Sequence, residues 1–109
     1  MATTYKVLGQ SAPSATTDTD LYTVPSATQT VVSTITVTNR SASAATYRVA
    51  VRVGGASIAS EHYIAYGASA PANDTITLTL GITLSATDVI TVYASSADLS
   101  FNAFGSEIA

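Results

Sequence analysis

The feature that most constrains the fold is the stretch from Gln29 to Val53, where apolar and polar residues alternate along two runs separated by small residues. A period of two is typical of a β-strand with one buried face, and the many β-branched residues favour strands over helices. We therefore expect a long β-hairpin that turns at about Arg40–Ala45. Its first strand places Val31, Ile35, Val37 and Asn39 on one face and Val32, Thr34, Thr36 and Thr38 on the other; its second places Tyr47, Val49, Val51 and Val53 opposite Arg48, Ala50 and Arg52.

The rest of the chain predicts further short strands at the spacing of sandwiches and barrels. These segments are Thr4–Gln10, Asp20–Val24, Glu61–Ala68, Thr75–Leu80, Val89–Ala94 and Asp98–Phe104. Gly81–Asp88 is expected to cross over with Leu84 pointing inward. The sequence predicts a single domain, residues 1–109, with an all-β fold: an antiparallel two-sheet β-sandwich of seven to eight short strands. It is immunoglobulin-like by analogy, although the Cys pair and the Trp of antibody domains are missing.

The low charge of the chain bears on its sheet edges. Charged residues make up 10% of the sequence, against roughly 25% in a typical soluble domain. Sheet edges with few charges are poorly protected against pairing with other strands. We therefore expect the protein to work in an assembly. The terminal segments Met1–Gln10 and Phe101–Ala109 are nearly uncharged and are candidates for adding a strand to a neighbour.

Charge, cysteine content and hydropathy exclude several classes of function. The net charge of −3 argues against nucleic-acid binding, which needs a basic surface. The chain has no Cys, so it has no disulfide framework and no thiolate metal site. No apolar run approaches the length of a membrane span, and we expect neither a signal peptide nor a membrane partner.

The candidates for chemistry are few. His62 is the only histidine, and Glu61 next to it should point to the opposite face of a strand, so no nucleophile–His–acid set is evident. Asp18 and Asp20 face the same way on an extended segment, but calcium needs six to eight oxygen ligands. We predict no catalytic residue, no metal and no cofactor.

Three of the four basic residues lie on the predicted hairpin. Arg48 and Arg52 should share a face about 13 Å apart, at about 3.3 Å per residue, with Arg40 at the turn. They form either a solvated face with cross-strand polar pairs or a docking face for an acidic protein surface, since Arg is the favoured interface cation. Tyr63 is the aromatic residue most expected to be exposed, because it opposes Ile64 and Tyr66, and it could anchor an interface or stack on a sugar. The other aromatic residues, Tyr47, Tyr66, Tyr93, Phe101 and Phe104, are assigned mostly to the core.

Five segments together resemble one family: MATTYKVLGQ, VSTITVTNRSASAATYRVAV, EHYIAY, NDTITLTLGITLSATDVITVYAS and FNAFGSEI. The family comprises small virion structural proteins of tailed bacteriophages, notably cyanophages. The resemblance covers essentially the whole chain as a pattern of strands and turns without a catalytic signature. It implies a small β-sandwich that is a separate capsid protein or a module of a tail or fibre protein.

The resemblance implies a non-enzymatic capsid decoration (cement) protein on the capsid exterior, with the major capsid protein and its own copies as partners. A homo-oligomer is expected, and a trimer at capsid three-fold positions follows by analogy. The alternative is a tail, baseplate or fibre component that binds a host receptor or glycan through an exposed aromatic such as Tyr63. A hydrolase with His62 as its base and an unrelated immunoglobulin-like interaction domain are further alternatives.

Overall fold

The computed structural model describes residues 2–109 and places nine strands of this part of the chain in two antiparallel sheets that pack face to face. The strands are β1 (Thr3–Ser11), β2 (Thr19–Thr23), β3 (Gln29–Asn39), β4 (Ala45–Arg52), β5 (Tyr63–Ala70), β6 (Thr75–Leu78), β7 (Ile82–Leu84), β8 (Val89–Ala94) and β9 (Leu99–Ile108). The first sheet has the order β1-β9-β3-β6, with β7 also paired to β3, and the second has the order β2-β8-β4-β5. The predicted all-β, two-sheet architecture is confirmed.

The core lies between the inner faces of the two sheets. Ile35 and Phe101 from the first sheet and Val49 and Ile90 from the second are fully buried. The rings of Tyr47 and Phe101 meet edge to face across the sheets, with centroids 6.4 Å apart. Burying each large apolar side chain contributes about 1.5–3 kcal/mol, so this layer holds the sheets together.

The predicted hairpin is wrong, because β3 and β4 lie in different sheets. β3 pairs with β9, β6 and β7, whereas β4 pairs with β5 and β8. The connection between them passes from one sheet to the other, and the buried Asn39 amide holds it by donating to the carbonyls of Ser43 and Ala70, at 2.9 and 3.0 Å. Alternation predicts which face of a strand is buried, but it does not specify the partner strand.

The predicted faces of β3 are correct after Ser33 and wrong before it. Pairing with β9 shifts register between Val32 and Thr34, so Ser33 is an extra residue that reverses the alternation. Val32 is therefore buried and Val31 faces outward, while Ile35, Val37 and Asn39 share one face as predicted, and that face is the buried one. On the second run, Val53 lies beyond β4 in a short 3-10 helix and is exposed.

Two further expectations are revised by strand order. The segment Gly81–Asp88, predicted to be only a crossover, contains an additional strand, β7, so the sandwich has nine strands instead of the predicted seven to eight. Its Leu84 is buried as predicted. Most of Phe101–Ala109 belongs to β9, which lies between β1 and β3 and has no free edge to offer. The other segment expected to add a strand to a neighbour is Met1–Gln10. Its Met1 lies outside the described residues, and Thr3–Gln10 belongs to the edge strand β1.

The segment between β4 and β5 covers part of the outer face of the second sheet. It contains two 3-10 helices, Val53–Gly55 and Ser60–His62. Beneath it, Ala50, Val89 and Thr91 are buried although their strand positions face away from the core. None of the helical turns in residues 2–109 has the length and apolarity that a membrane-spanning helix needs.

Candidate functional site

A row of aromatic and arginine side chains crosses the outer face of the second sheet. Arg48 on β4 pairs in register with Tyr93 on β8 and with Tyr66 on β5. The guanidinium carbon of Arg48 lies 4.0 Å from the ring centroid of Tyr93 and 4.3 Å from that of Tyr66. Both distances are within the range of cation–π attraction, which is worth about 0.5–1 kcal/mol at an exposed site. The guanidinium therefore lies between the two rings, and both attract its charge.

Tyr63 extends this row, contrary to its predicted position on the opposite face from Tyr66. Its ring lies edge to face against Tyr66, with centroids 4.8 Å apart. The β4–β5 register shifts once between Ala65 and Tyr63 and again between Ala68 and Tyr66, so both tyrosines point outward. We call Tyr63, Tyr66, Arg48 and Tyr93 the tyrosine–arginine ladder. Tyr66, at 63% exposure, is its most accessible member, and Tyr63 is half-buried rather than the most exposed aromatic.

A hollow of about 660 Å³ adjoins the ladder, lined by Ile58, Ala59, Ser60, Tyr63 and Tyr66. One wall is the turn before β5, where the Ala59 N–H donates to Nδ1 of His62 at 2.9 Å and the His62 N–H donates to the Ala59 carbonyl at 3.1 Å. The histidine ring thus closes a turn beside the hollow. Aromatic rings beside a concave surface with a few polar groups are typical of binding sites.

Arg52 shares the outer face of β4 with Arg48, as predicted, but its polar groups are already bonded within the protein. Nε donates to Thr91 Oγ1 at 2.9 Å, and one terminal nitrogen donates to Asp20 Oδ1 at 2.9 Å. The other terminal nitrogen donates to the carbonyls of Gly55 and Ala56, at 3.1 and 2.9 Å. Arg52 therefore fixes the β4–β5 segment to β2 and β8, which matches the predicted cross-strand polar pairing rather than a docking role.

Arg40 does not join the other two arginines. It follows β3 in the first sheet, where Nε donates to Ser100 Oγ at 2.8 Å and a terminal nitrogen donates to the Ala97 carbonyl at 2.9 Å. It therefore braces the turn between β8 and β9. Of the four predicted interface residues, the structure brings together only Arg48 and Tyr63.

Asp88 is a structural residue that sequence analysis missed. Its buried carboxylate accepts from the Gly54 N–H at 2.8 Å and from the Ser85 N–H at 2.9 Å. It therefore joins the turn before β8 to the turn after β4. The signal available in the sequence is a lone Asp directly before an apolar strand, which is a common turn residue with no specific partner.

A polar network at one end of the sandwich joins strands of both sheets. The Tyr22 hydroxyl shares a 2.8 Å hydrogen bond with Thr30 Oγ1 and donates to Glu107 at 2.5 Å. Lys6 Nζ bonds the other carboxylate oxygen of Glu107 at 3.2 Å. Burial, followed by the bond to Glu107, raises the pKa of Tyr22 to about 12. The bond from Tyr22, followed by the bond from Lys6, lowers the pKa of Glu107.

An apolar patch on the outer face of the first sheet was also missed. Val7 on β1 opposes Phe104 on β9, and Tyr5 and Val31 lie on either side of Ser106. Phe104, assigned to the core, is 36% exposed, and Tyr5 is 83% exposed. We call Tyr5, Val7, Val31 and Phe104 the first-sheet patch. The bulge at Ser33 is part of the cause, because it turns Val31 outward.

The arrangement of acidic and histidine side chains offers little for metal binding. Within residues 2–109, no three His, Cys, Asp or Glu side chains form a group that could hold a metal ion. Asp20 instead accepts hydrogen bonds from Arg52 and Thr91.

In comparisons with known proteins, no family model, curated sequence or solved structure matches this chain.

Proposed function

We propose that this chain is a non-enzymatic virion structural protein of a tailed bacteriophage, a decoration protein that binds the outer surface of the major capsid protein shell. The resemblance of the sequence to small phage virion proteins supports the proposal. The observation that carries it is the tyrosine–arginine ladder, in which the Arg48 guanidinium lies between two rings and Tyr66 is largely exposed. Tyr and Arg are, together with Trp, the residues most enriched at energetically important positions of protein interfaces.

The state of Arg48 suits docking to an acidic or carbonyl-rich protein surface. In the described part of the chain it takes part in no ion pair, unlike Arg52. The rings of Tyr66 and Tyr93 restrict its motion, so less side-chain entropy is lost when its planar N–H groups bind a partner. Many weak contacts of this kind suit a protein that coats a lattice in many copies, because binding the assembled shell stabilises it by mass action.

Quantitative mass spectrometry of purified virions tests the location. A copy number approaching that of the major capsid protein is the expected result. A few copies per hundred shell subunits would assign the protein to the tail or fibres, and complete absence would overturn the virion proposal.

Binding of the purified protein to particles that lack it tests the site. Tyr66→Ala and Arg48→Ala should each weaken binding about tenfold or more, because interface positions of this type commonly contribute at least 1–2 kcal/mol. Arg40→Ala is the matched control, since it removes an exposed arginine that braces a turn elsewhere. If Arg48→Ala binds the particles as tightly as Arg40→Ala and the unchanged protein do, the ladder does not contribute to the interface.

The second candidate is a tail, baseplate or fibre component that binds a host glycan at the same ladder. The hollow beside Tyr63 and Tyr66 favours it, since sugars stack on exposed aromatic rings and Ser60 adds a hydroxyl to the wall. This function predicts cell attachment by the isolated protein and its loss in Tyr66→Ala. A glycan array and a cell-binding assay that are both negative would exclude it. The immunoglobulin-like assignment of the fold stays a prediction.

A further inference from the structure

The edges of the two sheets differ in how well they are protected. In the described part of the chain, β5 carries two register shifts and a Gly67 with φ of 64°, and β2 has five residues with one shift. On the far side of the first sheet, β6 and β7 have only four and three residues. Bulges and short lengths are the usual ways in which natural proteins prevent an edge from pairing with another strand.

Strand β1 lacks these protections along most of its length. It has nine residues, and its register with β9 is unbroken from Thr3 to Val7 before the shift that follows Val7. It contains no Pro, and Lys6 is its only charged residue. An edge of this kind is a ready template for another strand.

The backbone hydrogen bonds show which groups of β1 are free. Ala2 and Ala109 exchange both of their N–H···O=C bonds, at 2.9 and 3.0 Å. In an antiparallel ladder such closed pairs alternate with open pairs, so in the same register Thr4 and Lys6 form the next closed pairs with β9. The N–H and C=O groups of Thr3, Tyr5 and Val7 therefore point away from β9, along the free edge.

We propose that β1 pairs antiparallel with β1 of a second copy, about a two-fold axis at Tyr5. In this register Tyr5 opposes Tyr5 of the second copy, and Thr3 opposes its Val7. Each opposing pair exchanges two hydrogen bonds, so every free donor between Thr3 and Val7 meets an acceptor. The shift after Val7 ends the pairing.

The side chains of β1 fit a second copy of the same strand. On the inner side, Lys6 opposes Thr4 of the second copy rather than its Lys6, and Glu107 already pairs with Lys6 within each chain, so no like charges meet directly. On the outer side, the two Tyr5 side chains lie next to each other and the first-sheet patches of the two copies become continuous. A strand that presents one edge can match itself only about a two-fold axis, whereas a ring of three would need two different complementary edges.

This inference is independent of the proposed function. The β1 edge belongs to the first sheet, and the tyrosine–arginine ladder lies on the outer face of the second. A protein that pairs through β1 and fails to bind capsids, or the reverse, would separate the two proposals.

Amide hydrogen exchange of the full chain, measured by NMR at low and high protein concentration, tests the register directly. The amides of Thr3, Tyr5 and Val7 should exchange quickly in dilute protein and become protected as concentration rises. The amides of Thr4 and Lys6, which bond β9, should be protected at both concentrations. Concentration-independent exchange at Thr3, Tyr5 and Val7 would overturn the proposal.

Sedimentation equilibrium with a pair of charge variants provides the matched test. In the proposed dimer, position 3 of each copy faces position 7 of the other copy, which gives two equivalent pairs. In the variant Thr3→Glu/Val7→Glu, both pairs bring two carboxylates together. In the variant Thr3→Lys/Val7→Glu, both pairs join opposite charges. The first variant should dimerise at least about tenfold more weakly than the second, because facing charges in a sheet contribute up to about 1 kcal/mol per pair with either sign. Circular dichroism checks that both fold. A monomeric wild type at all concentrations, or equal dimerisation of the two variants, would exclude β1 pairing.

Discussion

Arg48 and Arg52 lie four residues apart on the same face of β4, and they are used in opposite ways. Arg52 bonds to Asp20, Thr91 and two backbone carbonyls, so its charge stabilises the covering segment. Arg48 lies between two aromatic rings and takes part in no ion pair within the described residues. The difference depends on the neighbouring strands, because β8 places Thr91 near one arginine and Tyr93 near the other. Residue type and spacing alone therefore do not separate an arginine that is bonded within the protein from one that is proposed to bind a partner.

The largest expected effect comes from removing the bonded arginine. Arg52→Ala removes the ion pair to Asp20, which keeps only the hydrogen bond from the Thr91 hydroxyl, and it leaves Thr91 Oγ1 and the Gly55 and Ala56 carbonyls without the arginine donor. We expect the free energy of unfolding to fall by about 2–3 kcal/mol, because several charge-assisted hydrogen bonds are lost together. Arg48→Ala should cost about 1 kcal/mol, the size of its cation–π contacts. Urea denaturation of the two variants measures the comparison, and equal losses would contradict it.

A pH series tests a second carboxylate that, like that of Asp20, is bonded within the protein. This carboxylate belongs to Glu107. Its folded pKa is lowered, so its contribution to stability is present above the unfolded pKa and is lost as pH falls through the folded value. The pKa of Tyr22 is raised to about 12, so its contribution is present below about pH 10 and is lost as pH rises from 10 towards 12. Tyr22→Phe should reduce the unfolding free energy at neutral pH by about 1 kcal/mol and flatten both limbs.

Tyr47→Phe is the control for this series. Burial alone raises the pKa of Tyr47, so its removal should change only the alkaline limb. Urea denaturation from acid to alkaline pH distinguishes the variants. An acid limb that survives unchanged in Tyr22→Phe would show that the bond to Glu107 does not contribute.

The smallest expected change in stability comes from Arg48→Lys. Lysine keeps the charge but replaces a planar group, which stacks between Tyr66 and Tyr93, with a compact ammonium. We expect the free energy of unfolding to change by less than about 0.5 kcal/mol, while binding to capsid particles weakens several-fold. Urea denaturation and the particle-binding assay measure the two effects. Unchanged binding would mean that the positive charge at position 48 is sufficient for binding to capsid particles and that the planar guanidinium is not required.

The sequence predicted the architecture through local alternation and failed where alternation is interrupted. Ile35, Val37 and Val49 were placed correctly, because each lies in an uninterrupted run with a single buried face. The extra residues at Ser33 and at Ile64 change the phase without a distinctive residue type at either position, whereas Gly67, with φ of 64°, marks the other shift in β5. The predicted faces of Val31 and Tyr63 are wrong for this reason. Because Tyr63 was expected on the opposite face from Tyr66, the sequence did not indicate the tyrosine–arginine ladder.

The prediction of a β3–β4 hairpin was wrong for another reason. Strand pairing depends on contacts between residues that are distant in the sequence. A small-residue connection can turn back within one sheet or pass to the other, and the choice rests on which strands compete for each edge. Here β9 occupies one edge of β3, and β8 and β5 occupy both edges of β4. The Asn39 amide, which bonds across the connection to Ala70, becomes meaningful only once that topology is known.

The central position of β9 also bears on how the protein is made. β1 and β3 both take their longest pairings from β9, which follows the other eight described strands in the sequence. While the ribosome is still adding residues before Leu99, the first sheet has no centre, and its inner apolar face has no stable arrangement. Contacts between segments so far apart in sequence also form slowly. Folding of the first sheet must therefore follow synthesis of Leu99–Ile108, and nascent chains do not present the finished β1 edge to one another before that point.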